Sequence, residues 1–485
     1  MKKWLFTFVY CVVISGSCLH AITPKTPLDI TNRLFNVKDF GAIGDSLAMN
    51  TKPVQAAIDA CSSSGGGTVW VPAGNFIIGT IQLKSNVTLS LDYGASLLGS
   101  QNIKDYATNI TKPREGNVEC LIFAENATNI TIEGLGVIDG RGTHIAFPRG
   151  PARGKRNPRP RLIRMENCNQ LNFVGVTFRR PAFWGIHLID CKNVHFNGIT
   201  VQFRNNNYNN DGLDLDGCQN VRIENCDIDA GDDGICLKSS LNPCRNFTIQ
   251  NCRVSSNTAA LKFGSSSQGG FIDINMRNCY FYNCPMGGIK LQLVDGGQLE
   301  NITISRIVME DVGNPIFLRL GNRAHRFNKD GNNEIATVGT LKNVHISDVV
   351  AKVTAESPED EAKAVYKKRD LTKQNQNPDE LAKKQKTRTG PIMITGIPGH
   401  HIENVTLENI EISFPGGGTE QDRANQVSED EKRYPEQFYF GVLPAWGAYV
   451  RHAKNIEFKN VKLTTRSEDK REMIILDDVE GFVNQ

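Results

Sequence analysis

Residues 229–238 read DAGDDGICLK, which sets Asp232 and Asp233 side by side between Gly231 and Gly234. Adjacent carboxylates repel, so a chain that keeps them has a use for the repulsion. Aligning the neighbouring segments WGIHL from Trp184, DGLDL from Asp211, DGICL from Asp233, AALKF from Ala259, GGIKL from Gly287 and FLRL from Phe317 suggests one. In each segment an apolar pair two residues apart (Ile186/Leu188, Leu213/Leu215, Ile235/Leu237, Leu261/Phe263, Ile289/Leu291, Leu318/Leu320) would face a core. The residue between them would then face solvent: His187, Asp214, Cys236, Lys262, Lys290 and Arg319. If the segments stack, Asp211 and Asp233 become neighbours about one strand spacing (~4.8 Å) apart, with Asp232 beside them.

Three converging carboxylates can divide their labour. Crowding raises the pKa of at least one, leaving a proton donor beside ionised partners. That is the equipment of glycoside hydrolysis, which needs an acid for the leaving oxygen and a base for water. The same oxygens could hold Ca²⁺, and a lyase would add a basic Lys or Arg near the metal. A non-catalytic polysaccharide-binding surface is the third alternative. Gly231 and Gly234 would leave room for a sugar, and Trp184 and His187 would touch it.

The elements that position these residues repeat. NITIEGL from Asn129, NVHFNGI from Asn193, NVRIENC from Asn220 and NFTIQNC from Asn246 share one pattern, and NITISRI, NVHISDV, NVTLENI and NIEFKNV continue it from Asn301, Asn343, Asn404 and Asn455. The central copies start at Val194, Val221, Phe247, Ile274 and Ile302, a period of 26 to 28 residues. Period-two alternation inside such a repeat predicts an all-β chain, a right-handed parallel β-helix. Cys168, Cys191, Cys218 and Cys244 hold one repeat position and Cys226, Cys252 and Cys279 another, which predicts ladders of buried thiols rather than a disulfide framework. The sequons at Asn86, Asn126, Asn129, Asn246, Asn301 and Asn404 fall on the repeat and read as turn asparagines.

Residues 51–61, with Val54, Ala57, Ile58 and Cys61 at helical spacing, suit an N-terminal capping helix. Segments 355–388 and 415–440 break the repeat as loop insertions in a single β-helix domain spanning 22–485. Residues 1–21 carry Lys2 and Lys3 before an apolar run and read as a signal peptide. Cleavage after Ala21 is expected, with lipid anchoring at Cys18 the alternative. The protein is then exported, to the periplasm or beyond the cell. A net charge of +3 gives no reason to expect a nucleic-acid partner, and no later segment could span a membrane as a helix.

With the repeat in place, NNDGLDLDGC (209–218), AGDDGICLKS (230–239) and GGIKLQ (287–292) resemble glycoside hydrolase family 28, the polygalacturonases. RPRLIRMENC (159–168), RPAFWGIHL (180–188) and YPEQFYFGVLPAWGAYVRH (434–452) resemble its bacterial members, and FNVKDFGAIGDS (35–46) is shared with other β-helix pectin enzymes. The resemblance implies an inverting hydrolase of pectin-type polysaccharide or oligosaccharide that uses no metal and no cofactor. It implies Asp232 as general acid, Asp211 and Asp233 as activators of water, and Lys290 as a substrate contact. Thr258-Ala259-Ala260 stands where the family has Gly-His-Gly, and Gly288 where it has the Arg of Arg-Ile-Lys. Lys262 would restore a positive charge for a substrate carboxylate. Glu436, Trp446, Arg451 and His452 have the chemistry of a sugar subsite, and loops closing one end of the groove would make the enzyme exo-acting.

Overall fold

A computed structural model of the protein describes residues 33–148, 157–204, 207–327, 337–355 and 389–485. Residues 1–21 lie outside this set, and so does the 355–388 insertion beyond Ala355. The described strands form one continuous sheet wound into a parallel β-helix, each strand pairing in parallel with its counterparts one coil before and one coil after. The winding is right-handed, the hand that parallel crossovers adopt.

A typical coil has three short strands, such as Ile186–Ile189, Lys192–Asn197 and Thr200–Gln202. From Phe271 onward the second and third fuse into long bent strands, Phe271–Cys284 and Gln298–Val312 among them. The repeat fixes the register: Val194, Val221, Phe247, Ile274 and Ile302 are consecutive partners. Their side chains, with those of Ile186, Leu213, Ile235, Leu261 and Ile289 from the first strands, are buried in one core along the axis. Burying each such side chain stabilises the fold by about 1.5–3 kcal/mol.

The coil corners depend on asparagine. Asn193, Asn220 and Asn246 have φ of 55°, 55° and 59°, the left-handed region that asparagine tolerates. Each also donates its side-chain amide to the asparagine one coil below, at 2.7, 3.0 and 2.8 Å, the first reaching Asn169. Asn129, Asn301, Asn343, Asn404 and Asn455 have the same backbone. A single residue type thus turns the chain and ties neighbouring coils. All eleven described cysteines are buried free thiols; that of Cys218 donates to the Leu188 carbonyl of the preceding coil.

The helix Thr51–Ser63 buries Val54, Ala57, Ile58 and Cys61 against the first coils. Near the other end the strand Ile402–Phe414 stops and the next begins at Ala445. Between them run a short helix, Glu420–Arg423, and a 3-10 turn, Gln437–Phe440. Among the described residues no helix is long and apolar enough to cross a membrane.

Replacing Asn220 by Leu removes two ladder hydrogen bonds and places a branched side chain at φ 55°. The expected loss is about 1–3 kcal/mol in urea unfolding, with Asn220→Gly losing less because glycine accepts the conformation.

Candidate active site

The first strand of each coil presents a column of outward residues in the order Arg164, His187, Asp214, Cys236, Lys262 and Lys290. From His187 to Lys290 this is the expected column. Its expected exposure to solvent is not observed: His187, Asp214, Cys236, Lys262 and Lys290 are all buried. Two segments cover them. Arg161 and Arg164 hold residues 111–118, donating to the carbonyls of Glu115 and Asn117 and of Thr111 and Val118. Gln292, Arg319 and Arg451 hold residues 427–436 in the same way, through the carbonyls of Pro435, of Glu429 and Asp430, and of Val427. Covering segments of high sequence separation leave no periodic trace, so the repeat could not announce them.

Arg319 does not stand next in the column. Ile316 and Leu318 continue the core row of Ile289 and Leu291, so Phe317 partners Lys290 and Arg319 partners Gln292. All five residues of Ile316–Leu320 are buried, because Phe317 packs outward against Phe440 and Leu443. The alternation cue therefore gives the right face for Arg319 but leaves its place along the strand ambiguous by two residues, one step of the alternation. Arg451 and His452 are likewise engaged by the protein. Arg451 pairs with Glu429 and Asp477, and His452 lies 2.6 Å from Asp478 and 3.1 Å from Glu429. Their strand is five coils beyond that of Asp233, about 24 Å at ~4.8 Å per coil, so they anchor the cover instead of forming a subsite at the aspartates. Trp446 packs against the core, its ring edge-on to Phe414 at an interplanar angle of 70°.

The three aspartates do converge: Asp211 and Asp233 bring one oxygen each within 4.8 Å, and Asp232 adjoins Asp233 in the chain and raises Asp211 by its charge. The Asn209–Asn210 turn sets Asp232: the Asn210 carbonyl accepts from the backbone of Gly231 and Asp232, and the Asn209 amide donates to Asp232 Oδ2 at 3.3 Å. Ser256 Oγ donates to the Asp232 carbonyl from the next coil. Asp211 follows the same turn, its carbonyl bound to the Gly185 amide. The flanking glycines serve packing more than access. A Cβ on Gly234 would lie 2.5 Å from Val254 Cγ1, and one on Gly231 would lie 3.0 Å from the Phe203 carbonyl.

Electrostatics separates the carboxylates. Asp233 accepts from Thr258 Oγ1 at 2.6 Å and pairs with Lys262 at 3.0 Å. Burial opposes ionisation there, yet Lys262 and the Thr258 hydroxyl hold this carboxyl below its ordinary value. Burial pushes Asp211 well above its ordinary range, reinforced by Asp214 and Asp232. Asp214 is pushed up to about 7 by burial, against the pull of Lys238, whose ammonium is 3.4 Å away. Lys238 and Thr258 were not anticipated. Lys238 could have been found, since it follows the DGICL segment at the next outward position. Its Nζ lies 4.5 Å from the ring centre of Trp184, which stacks on Phe183 and meets His187 edge-on. Burial keeps His187 neutral, and neither of its ring nitrogens has a hydrogen-bond partner. Asp211 Oδ1 and both Asp214 oxygens also lack one.

Farther along, Glu436 bridges the lysines, 3.0 Å from Lys262 and hydrogen-bonded to Lys290. Lys262 is thus spent within the protein, contrary to the expected free charge for a substrate carboxylate. One oxygen each of Asp211 and Asp233 and the Cys236 sulfur lie within 4.8 Å of one another. This set does not fit Ca²⁺, which takes six to eight oxygens. The Cys236 thiol is held protonated by burial, and Asp233 is already bonded to Lys262.

Residues 61–377 match the family described as Glycosyl hydrolases family 28. A probable polygalacturonase of Vitis vinifera is 30% identical over 56% of this chain and 60% of its own length. An exo-poly-alpha-D-galacturonosidase of Dickeya chrysanthemi is 27% identical over 53% of this chain and 51% of its own. The chain thus spans little more than half the length of these relatives. The family 28 exopolygalacturonase of Yersinia enterocolitica superposes with a TM-score of 0.65 at 22% identity, covering 93% of this chain and 78% of that one, and shares its fold.

The Glu436 carboxyl is held below 4.5 against the cost of burial, chiefly by Lys262 and then by Lys290. Its contribution to stability is complete above pH 4.5 and is lost as pH falls through the lowered value. Asp233 behaves likewise below 3.8. Urea midpoints of the wild type should fall steeply below about pH 4, and Glu436→Gln should flatten that fall.

Proposed function

The chain belongs to glycosyl hydrolase family 28, and from that premise we propose that it is an exported glycoside hydrolase of pectin-type acidic glycans, acting from the chain end with inversion. The observation that carries the reading is the convergence of Asp211, Asp232 and Asp233 from adjacent coils, with Asp233 held ionised and Asp211 pushed the other way by burial. An inverting hydrolase needs one carboxyl that keeps its proton and one that does not.

In this reading Asp233, kept ionised by Lys262 and Thr258, takes the proton of a water molecule. Asp211 shares that water through its unpartnered oxygen. The water oxygen attacks the anomeric carbon as the glycosidic bond breaks. Asp232, the most exposed of the three at 7%, gives its proton to the leaving oxygen. Trp184, His187, Asp214 and Lys238 line the wall reached by the sugar. Exo action is supported by the covers, which leave the aspartates between two closed stretches of the outward face. The names of the relatives point the same way, toward galacturonan. Export rests on the character of residues 1–21.

Asp232→Asn should lower kcat on pectic oligosaccharides by about 10²–10⁴ with KM little changed and the fold intact. Proton NMR of the first product should show the inverted anomer. Retained configuration would contradict the assignment, and an unsaturated product would replace it with a lyase.

A further inference from the structure

On the N-terminal side of the 111–118 cover the outward face opens again. Gln82 and Phe123 belong to the column that leads through Arg164 and His187 to Asp214 and Cys236. Around them lies a cleft of about 460 Å³, a size that holds small ligands. Four coil steps separate Phe123 from Cys236, about 19 Å at ~4.8 Å per coil, and the cover intervenes.

The walls of this cleft are built from the protein's own bonds. Gln55, on the capping helix, accepts from the Gln82 backbone amide at 2.7 Å. It donates to the Gln82 carbonyl at 3.1 Å and to Asp59 at 2.9 Å, and Asp59 pairs with Lys84 at 2.7 Å. On the facing wall, Thr80 accepts from the Ala107 amide at 2.9 Å, and Thr111 donates to Glu125 at 2.6 Å. These bonds fix the 107–111 segment and still leave polar groups over. The exposed side-chain amides of Gln82 and Asn109 have no hydrogen bond to the described residues. Asp59 and Lys84, 47% and 41% exposed, keep lone pairs and N–H groups beyond their own pairing.

Charge selects the ligand. Among the described residues lining the cleft, Lys84 is the one cation, and it stands against the two carboxylates of Asp59 and Glu125. The next coil adds Glu166, in register with Glu125 and already matched by Arg164. A uronate would meet a surplus of negative charge. Hydroxyls would find donors in the two amides and Lys84, and acceptors in Asp59 and Glu125. Ala107 and Ile110 supply apolar surface for the C–H face of a sugar ring.

We propose that this cleft is a second carbohydrate site, which takes an uncharged disaccharide and has no part in bond cleavage. It is independent of the hydrolase reading, since a ligand here touches none of the aspartates. Such a site holds the protein to neutral branches of a polysaccharide while the reacting chain occupies the aspartates.

Calorimetric titration of the full chain with galactobiose, arabinobiose and cellobiose tests the site. At least one of them should bind saturably, and excess digalacturonate should not displace it. Gln82→Ala and Asn109→Ala should each weaken that binding about tenfold, the worth of one or two lost hydrogen bonds. Asp232→Asn should leave it unchanged. Both cleft positions are exposed, so the melting temperatures and the turnover of pectic oligosaccharides should match those of the wild type. Binding of none of the three, binding undiminished in both cleft variants, or displacement by digalacturonate would overturn the inference and leave the hydrolase reading standing.

Discussion

The site depends on one buried chain of charges, in which Asp233, Lys262, Glu436 and Lys290 are linked in sequence. Removing any partner would leave a charge in the interior without its counter-ion, a loss of about 3–5 kcal/mol. The chain therefore locks three things at once: the ionised state of Asp233, the pairing of three coils, and the seating of the 427–440 segment. Function and cover are not separable here, because Lys262 touches both the candidate base and the loop.

Much of this arrangement is legible in the sequence because a solenoid converts linear period into spatial neighbourhood. The spacing of Val194, Val221 and Phe247 predicts their stacking, and the DGLDL and DGICL segments predict that Asp211 meets Asp233. The ladders of asparagine and cysteine follow from the same rule. What the period cannot convey is contact between elements outside it. Glu436 lies 174 residues from Lys262 and 146 from Lys290, and no pattern links them. The covered face misled in two further ways. An outward strand position beneath a cover is free to be apolar, as at Phe317, and this erased the alternation that would have placed Arg319. It also turned Arg451 and His452, which have the chemistry of a sugar subsite, into anchors for a loop.

The glycines around the aspartates show the same lesson at short range. Their lack of a side chain looked like space left for a ligand. Gly212 instead lies where a Cβ would come within 2.5 Å of the Gly234 carbonyl, and Gly234 itself abuts Val254. The turns must approach closely for the carboxylates of two coils to meet. Small residues at a reactive site can thus be a condition of its assembly before they are a means of entry.

The thiol ladders have a consequence beyond packing. Burial pushes the Cys120 thiol up to about 12, and a protonated, enclosed sulfur is a poor nucleophile. Any one of these sulfurs becomes reactive only when its own coil opens. Because Cys120, Cys168, Cys191, Cys218, Cys244 and Cys284 mark successive levels of the solenoid, the chain carries a built-in ruler of local opening. The order in which alkylating reagents reach these positions would record which end of the helix frays first, with no label added.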